Sequence, residues 1–299
     1  MTREELHKEL EKGRLLLDGA TGSNLLKMGM PKGSRAELFA LEHPEVVENL
    51  QRQYVEAGSE ILYAPTFQAQ PLNLEKANLG AQTEKINAKL VALSRKAAQG
   101  MALVAGNLTT LAGDMESWDE ENFDKMVSLY RRQIRGLLDG GADLLAAETL
   151  LYPVEGEAIL AAAELEGAKC VMYSFTMQPD GALFSGRDAG SVLRELEEAG
   201  AAAVGFNCVA ASEHLPGLVS RLRRQVKGPF LAKPNAGSPI IGGDGLVHYP
   251  MGAAEFAAIL NRCAQMGAKL LGGCCGTDPD YLQRLRRCLD GCSQNCKLT

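Results

Sequence analysis

Eight short apolar runs recur along the chain: RLLLDGAT (14–21), EILYAPT (60–66), ALVAGNL (102–108), LLAAET (144–149), CVMYSFT (170–176), AAVGFNC (202–208), FLAKPN (230–235) and KLLGGCC (269–275). They are continuous rather than alternating, the pattern of parallel strands buried on both faces. Between them lie stretches with apolar positions at helical spacing, such as 43–58 and 191–200. Gly58, Gly100, Gly140, Gly167, Gly200, Gly228 and Gly267 each follow such a stretch and precede a strand. Glycine suits that place because the residue after a helix often needs φ > 0. Ser117-Trp118-Asp119-Glu120 reads as a capping box, and Thr277-Asp278-Pro279-Asp280 as a weaker helix start. Eight strands linked by seven helix–glycine–strand joints predict an α/β fold, a single (β/α)8 TIM barrel over 1–299. Residues 1–12 read as a leading helix and 291–299 as a tail. A doubly wound sheet is the rival, but DGATGSN (18–24) after the first strand lacks the G-x-G-x-x-G spacing of its phosphate loop.

Composition narrows the function. Apolar residues make up 46% and charged residues 23%, enough apolar surface to offset the entropy of ordering. A net charge of −6 argues against a nucleic-acid partner, which would need a basic face. No run of apolar residues is long enough for a transmembrane helix, and MTREELHKELEKG lacks the apolar centre of a signal peptide. A cytoplasmic location without a membrane partner is therefore expected. In that reducing compartment the eight cysteines stay thiols, and clusters of them read as metal or redox sites.

Barrel enzymes assemble their sites from the C-terminal ends of the strands. Here those ends carry Asp18, Thr66, Asn107, Glu148, Thr176, Cys208, Asn235 and the pair Cys274–Cys275. Adjacent cysteines rarely bond to each other, because the ring is strained. Two neighbouring thiolates and a third from two strands away suit one tetrahedral Zn²⁺ with Zn–S of ~2.3 Å. Three ligands leave the fourth position open, which is the catalytic arrangement. The plainer reading is that these are small apolar residues fitting a tight barrel top.

GFNC (205–208), KPNAG (233–237) and GGCCGT (272–277), with DGATG (18–22), PTF (65–67) and ET (148–149), resemble the zinc-dependent homocysteine S-methyltransferases. That family includes betaine–homocysteine and S-methylmethionine–homocysteine methyltransferases and the homocysteine-binding domain of cobalamin-dependent methionine synthase. The resemblance covers roughly residues 12–290, and the stretches 43–59 and 180–186 look most like the methionine-synthase branch. It implies that Cys208, Cys274 and Cys275 hold one catalytic Zn²⁺ and that the thiolate of L-homocysteine takes the open position, receives a methyl group and becomes methionine. A free thiol of pKa ~8.5 is only ~3% ionised at pH 7. Full ionisation on the metal is therefore worth ~2 kcal/mol. Three thiolates also keep the centre anionic, which favours a nucleophilic sulfur over water activation. The substrate ammonium points to Asp18 and Glu148 as partners, and its carboxylate to backbone N–H groups from Gly19 to Gly22. The two acids have simpler readings, a loop cap for Asp18 and a buried ion pair for Glu148. Thr66 and Asn207 are expected to orient neighbouring groups, Asn207 because it precedes a ligand. Asn235 is a candidate to place its amide oxygen on zinc before substrate binds.

The chain departs from the methionine-synthase branch at Pro65, where that branch commonly has a polar residue. It carries no cobalamin-binding D-x-H-x-x-G motif, since Asp244 to His248 has the wrong spacing. The resemblance favours a methyl-corrinoid donor, free or on a separate corrinoid protein, with S-methylmethionine, betaine or another onium compound as the alternative. Two further readings stand: a lyase or aldolase forming a Schiff base on Lys233, and a zinc- or thiol-binding module without turnover. Cys170 and Cys263 read as core. Cys288, Cys292 and Cys296 read as reduced thiols, with a second metal as the less favoured reading.

Overall fold

The computed structural model describes residues 1–111, 115, 120–243, 245 and 247–291, with backbone alone at 120 and 121. In chain order the elements are α1 (Arg3–Lys12), β1 (Leu15–Leu16), α2 (Gly22–Lys27), α3 (Ala36–Glu42), α4 (Pro44–Glu56), β2 (Ile61–Tyr63), α5 (Pro71–Glu75), a 3₁₀ turn (Gly80–Gln82), α6 (Thr83–Ala98), β3 (Leu103–Thr109), α7 (Glu120–Asp139) and β4 (Leu144–Leu150). There follow α8 (Pro153–Leu165), β5 (Val171–Phe175), α9 (Ala189–Glu198), β6 (Ala203–Ala210), α10 (Leu215–Arg223), β7 (Phe230–Asn235), β8 (Ile240–Ile241), β9 (Val247–His248), α11 (Ala253–Gln265), β10 (Ala268–Leu271) and α12 (Pro279–Leu289).

Eight strands pair in parallel in the order β1-β10-β7-β6-β5-β4-β3-β2. A parallel bridge between Leu17 and Ile61, with Asp18 N–H donating to Ile61 O and Glu60 N–H to Leu16 O, closes the cylinder. The (β/α)8 barrel expected from the apolar runs is the fold. No helix among the described residues is long and apolar enough to cross a membrane.

Local details depart from the pattern for identifiable reasons. The first run is paired over only Leu15–Leu17, because the chain turns at Asp18 into the loop that reaches the site. Positive φ falls on Gly58, Gly100, Gly167, Gly200 and Gly267, as expected, but on Gly141 rather than Gly140. Gly140 is small for another reason: a Cβ there would lie within 3 Å of the α6 backbone at Ala88. Ser117, Trp118 and Asp119 of the expected capping box lie outside the described residues. At the second start signal, Asp278 caps α12 by accepting from Asp280 N–H, with Pro279 at the first helical position.

Helix α1 does more than precede the barrel. Leu6 and Leu10 pack with Leu17, Ile61, Ala105, Leu144, Met172, Leu231 and Leu270 in the barrel interior, and His7 Nε2 is 2.8 Å from Ala202 O. A hairpin, β8–β9, was not foreseen; its pairs are Ile240–His248 and Ile241–Val247. Cys170 and Cys263 are buried free thiols. Cys288 is buried too, but it is disulfide-bonded and not the reduced thiol expected from the sequence. Cys292 and Cys296 lie outside the described residues.

Candidate metal centre and substrate cavity

Two strand ends are built with one extra residue each. Between β4 and β5 the pairing runs from Ala147–Tyr173 to Leu150–Phe175, and between β6 and β7 from Asn207–Lys233 to Ala210–Asn235. The bulges hold Thr149 at φ 58° and Cys208 at φ 55°. Positive φ is uncommon for any residue with a Cβ and is a marked outlier for β-branched threonine, costing about 1–3 kcal/mol at each position. Bulges re-aim side chains, and these two turn Thr149 and Cys208 into the barrel mouth.

Asn207 braces both elbows. Its Oδ1 accepts from Thr149 N–H at 2.7 Å and from Ser174 Oγ–H at 2.9 Å, while its Nδ2 donates to Thr149 Oγ1 at 2.6 Å and to Glu148 Oε2 at 3.4 Å. Asn235 ties the two thiol-bearing segments together. Its Nδ2 donates to Cys208 O at 3.1 Å and its Oδ1 accepts from Cys275 N–H at 3.0 Å. The oxygen considered as an interim zinc ligand is thus engaged in bracing a cysteine backbone. Gly273 leaves room for Thr277, whose Oγ1 donates to Cys274 O and accepts from Ala20 N–H.

These supports bring the sulfurs of Cys208, Cys274 and Cys275 within 4.8 Å of one another. Cys208 and Cys274 are 2.9 Å apart, too long for a disulfide of ~2.05 Å. The edge of a tetrahedron with Zn–S of ~2.3 Å is about 3.8 Å, inside that span. Donor type, number and spacing therefore fit one thiophilic cation. The thiols share protons unequally: hydrogen bonds from Cys208 and Cys274 hold Cys275 far down, and donation to its neighbours pushes Cys208 up.

Beside the sulfurs lies a buried charge cluster. Lys233 Nζ is 3.6 Å from Glu148 Oε2, 3.8 Å from Asp18 Oδ1 and 4.7 Å from the centre of the Tyr63 ring. Burial pulls the Lys233 ammonium down, but Glu148, Asp18, Cys274 and Tyr63 outweigh it, so its pKa stands well above the usual value. Burial pushes Asp18 up to about 7 despite the lysine, and Glu148 is raised by burial as well. Two polar oxygens here lack a hydrogen-bond partner, Asp18 Oδ1 and Asn107 Oδ1.

A cavity of about 450 Å³ opens over these groups, lined at its inner end by Tyr63, Asn107, Glu148, Thr149, Lys233 and the three cysteines. Its outer end is lined by Leu26, Met30, Arg35, Glu37, Phe67 and Gln68. Among the residues expected at the site, Gly19 and Glu148 line it and Asp18 does not. Asp18 sits behind Lys233, with Oδ2 accepting Tyr63 N–H at 2.8 Å. Thr66 is also withdrawn, exchanging hydrogen bonds with the Asn107 backbone. Asn207 and Asn235 act from behind the lining, and Ala20 N–H is occupied by Thr277. Tyr63 was passed over because it reads as a strand aromatic, and Thr149 because nothing in its sequence signals a bulge.

The family model of the homocysteine S-methyltransferases matches residues 15–289. The chain belongs to the homocysteine S-methyltransferase family. It is 26% identical over 302 residues to a methionine synthase of Mycobacterium leprae, covering 92% of this chain and 24% of that protein. It is also 26% identical to a methionine synthase of Mycobacterium tuberculosis, covering 90% of this chain and 24% of that one. The chain thus spans about a quarter of the length of the curated relatives it matches. The metallated homocysteine methyltransferase MmuM of Escherichia coli superposes with a TM-score of 0.80 at 27% identity, covering 94% of this chain and 99% of that one.

Proposed function

We propose that this family member methylates the thiol of L-homocysteine to give methionine, with Zn²⁺ held by Cys208, Cys274 and Cys275. The observation that carries this is the three-sulfur cluster in one cavity with Glu148, which is paired through Lys233 to the buried Asp18. When bound, zinc supplies the charge that keeps the substrate sulfur ionised at neutral pH. The chain's residues then hold the rest of the substrate. Glu148, with Asn107 Oδ1 as an unpartnered acceptor beside it, receives the ammonium. Asp18 keeps Lys233 charged and oriented from behind, so with both acids ionised the cluster carries one net negative charge for that ammonium. The loop at Gly19, Thr21 and Gly22 supplies amides for the carboxylate. Fixing both ends of the amino acid leaves the sulfur one direction in which to meet the methyl carbon.

A Schiff base on Lys233 is disfavoured, since the nucleophile must be a neutral amine and two carboxylates hold this one charged. The methionine-synthase-like stretches favour a methyl-corrinoid donor, free or on a separate protein. In keeping with a large donor, Leu26 on α2, Phe184 between β5 and α9, and Ile240 and Ile241 on β8 stand exposed in the segments that follow β1, β5 and β7. A small onium donor is the second reading, favoured by Glu37 and Phe67 at the outer end of the cavity.

The test is methionine formation from L-homocysteine with methylcobalamin or S-methylmethionine, before and after zinc chelation. Turnover with methylcobalamin, lost on chelation and restored by zinc, is expected. Turnover with the sulfonium alone would transfer the assignment to the onium reading, and zinc-loaded protein silent with both would overturn the donor assignment.

A further inference from the structure

Hairpin β8–β9 is an odd appendage: its Ile240, Ile241 and Val247 side chains are exposed, so its own burial does not explain it. What it delivers is Tyr249. That ring lies against Gly276, directly after the cysteine pair, so closely that a methyl group on Gly276 would collide with its Cβ, Cγ and Cδ2. The half-buried Tyr249 side chain thus stands directly beside the Cys275 segment of the sulfur cluster. On the main chain Cys275 N–H already donates to Asn235 Oδ1. The Cys275 segment is therefore held at its backbone by β7 and packed, one residue on, by the tyrosine that the hairpin delivers.

We infer that Tyr249 is a positioning residue of the metal centre, its phenol donating to Cys275 Sγ and fixing both the direction and the electron density of that ligand. The inference rests on the zinc reading above. A hydrogen bond to a metal-bound thiolate withdraws charge from the sulfur, which moderates an over-rich three-thiolate set and limits exchange of the ligand. It also explains the glycine at 276, since a larger residue would displace the ring, and the exposed hairpin, whose pairing anchors the segment just before Tyr249.

The test is Tyr249→Phe in the full chain, which keeps the ring and deletes the donor, with cobalt(II) as a spectroscopic stand-in for zinc. The sulfur-to-cobalt charge-transfer band should move to lower energy, because the lone pair loses the stabilising proton. Zinc affinity, measured by chelator competition, should fall about 10-fold or more. Thermal unfolding of the metal-free variant, run alongside, checks that the fold is retained. A charge-transfer band at the wild-type energy would overturn the inference whatever the affinity does, because lost packing alone can weaken binding. Wild-type protein with no such band at all would overturn the metal centre itself, a failure distinct from this one.

Discussion

The two ends of the barrel follow opposite rules. At the N-terminal end, α1 seats Leu6 and Leu10 on an apolar interior, with His7 contacting the Ala202 carbonyl just before β6. At the C-terminal end, two strands bulge, a threonine and a cysteine adopt left-handed backbone, and two buried oxygens lack partners. The first end is arranged for stability. The second stores strain and unmet hydrogen bonding that packing elsewhere offsets, and a bound cation and an amino acid would relieve part of it.

That contrast can be broken or sharpened by experiment. The largest effect is expected from Cys274→Ser, which removes a buried sulfur from the three-cysteine cluster proposed to hold zinc. Metal content should collapse and methionine formation fall by on the order of 10³ or more, with the unfolding temperature of the metal-free protein little changed. Retained zinc and activity would show that the sulfur cluster is not the centre. Glu148→Gln removes a charged acceptor but keeps the shape. The KM for homocysteine should rise about 10- to 100-fold, a loss of ~1.5–3 kcal/mol, with smaller change in kcat. Steady-state kinetics separate the two.

The opposite end should respond in the opposite way. Leu6→Ala should lower stability by about 2–4 kcal/mol in denaturant melts, with kcat and KM unchanged at permissive temperature. An equal loss of activity in folded protein would dissolve the division between the two ends. The smallest expected effect is pH dependence. Burial raises the Asp18 carboxyl to about 7, so below that pH it takes a proton and the cluster loses the negative charge that attracts an ammonium. Inhibition by L-norvaline, which has a methyl group in place of the substrate thiol, should therefore weaken by up to about 10-fold per unit as pH falls from 7 towards 6. Inhibition independent of pH there would remove Asp18 from substrate binding.

Much of the frame was legible in the chain. The continuous apolar runs place the strands, and strand ends such as Cys208 and Cys274–Cys275 fall on one rim because parallel strands share a direction. Glu148 was legible for the same reason. Asp18 and Thr66 were located correctly along the chain but not in depth. Whether a strand-end side chain faces the cavity or lies behind it depends on the turn that follows, and Asp18 turns away behind Lys233. The bulge at Thr149, the Asn207 brace and the reach of Tyr249 carry no local signature, since each depends on partners dozens of residues away.

By itself, then, the sequence determined the barrel, its order of strands and the three thiols on its rim, because these follow from burial on both faces of parallel strands and from residue chemistry. Only the tertiary structure decided which rim groups line one cavity, which stand behind as supports, and which oxygens are left without partners. Those outcomes depend on packing across the closed cylinder, where a one-residue bulge redirects a side chain without altering the hydrophobic pattern that specified the strand.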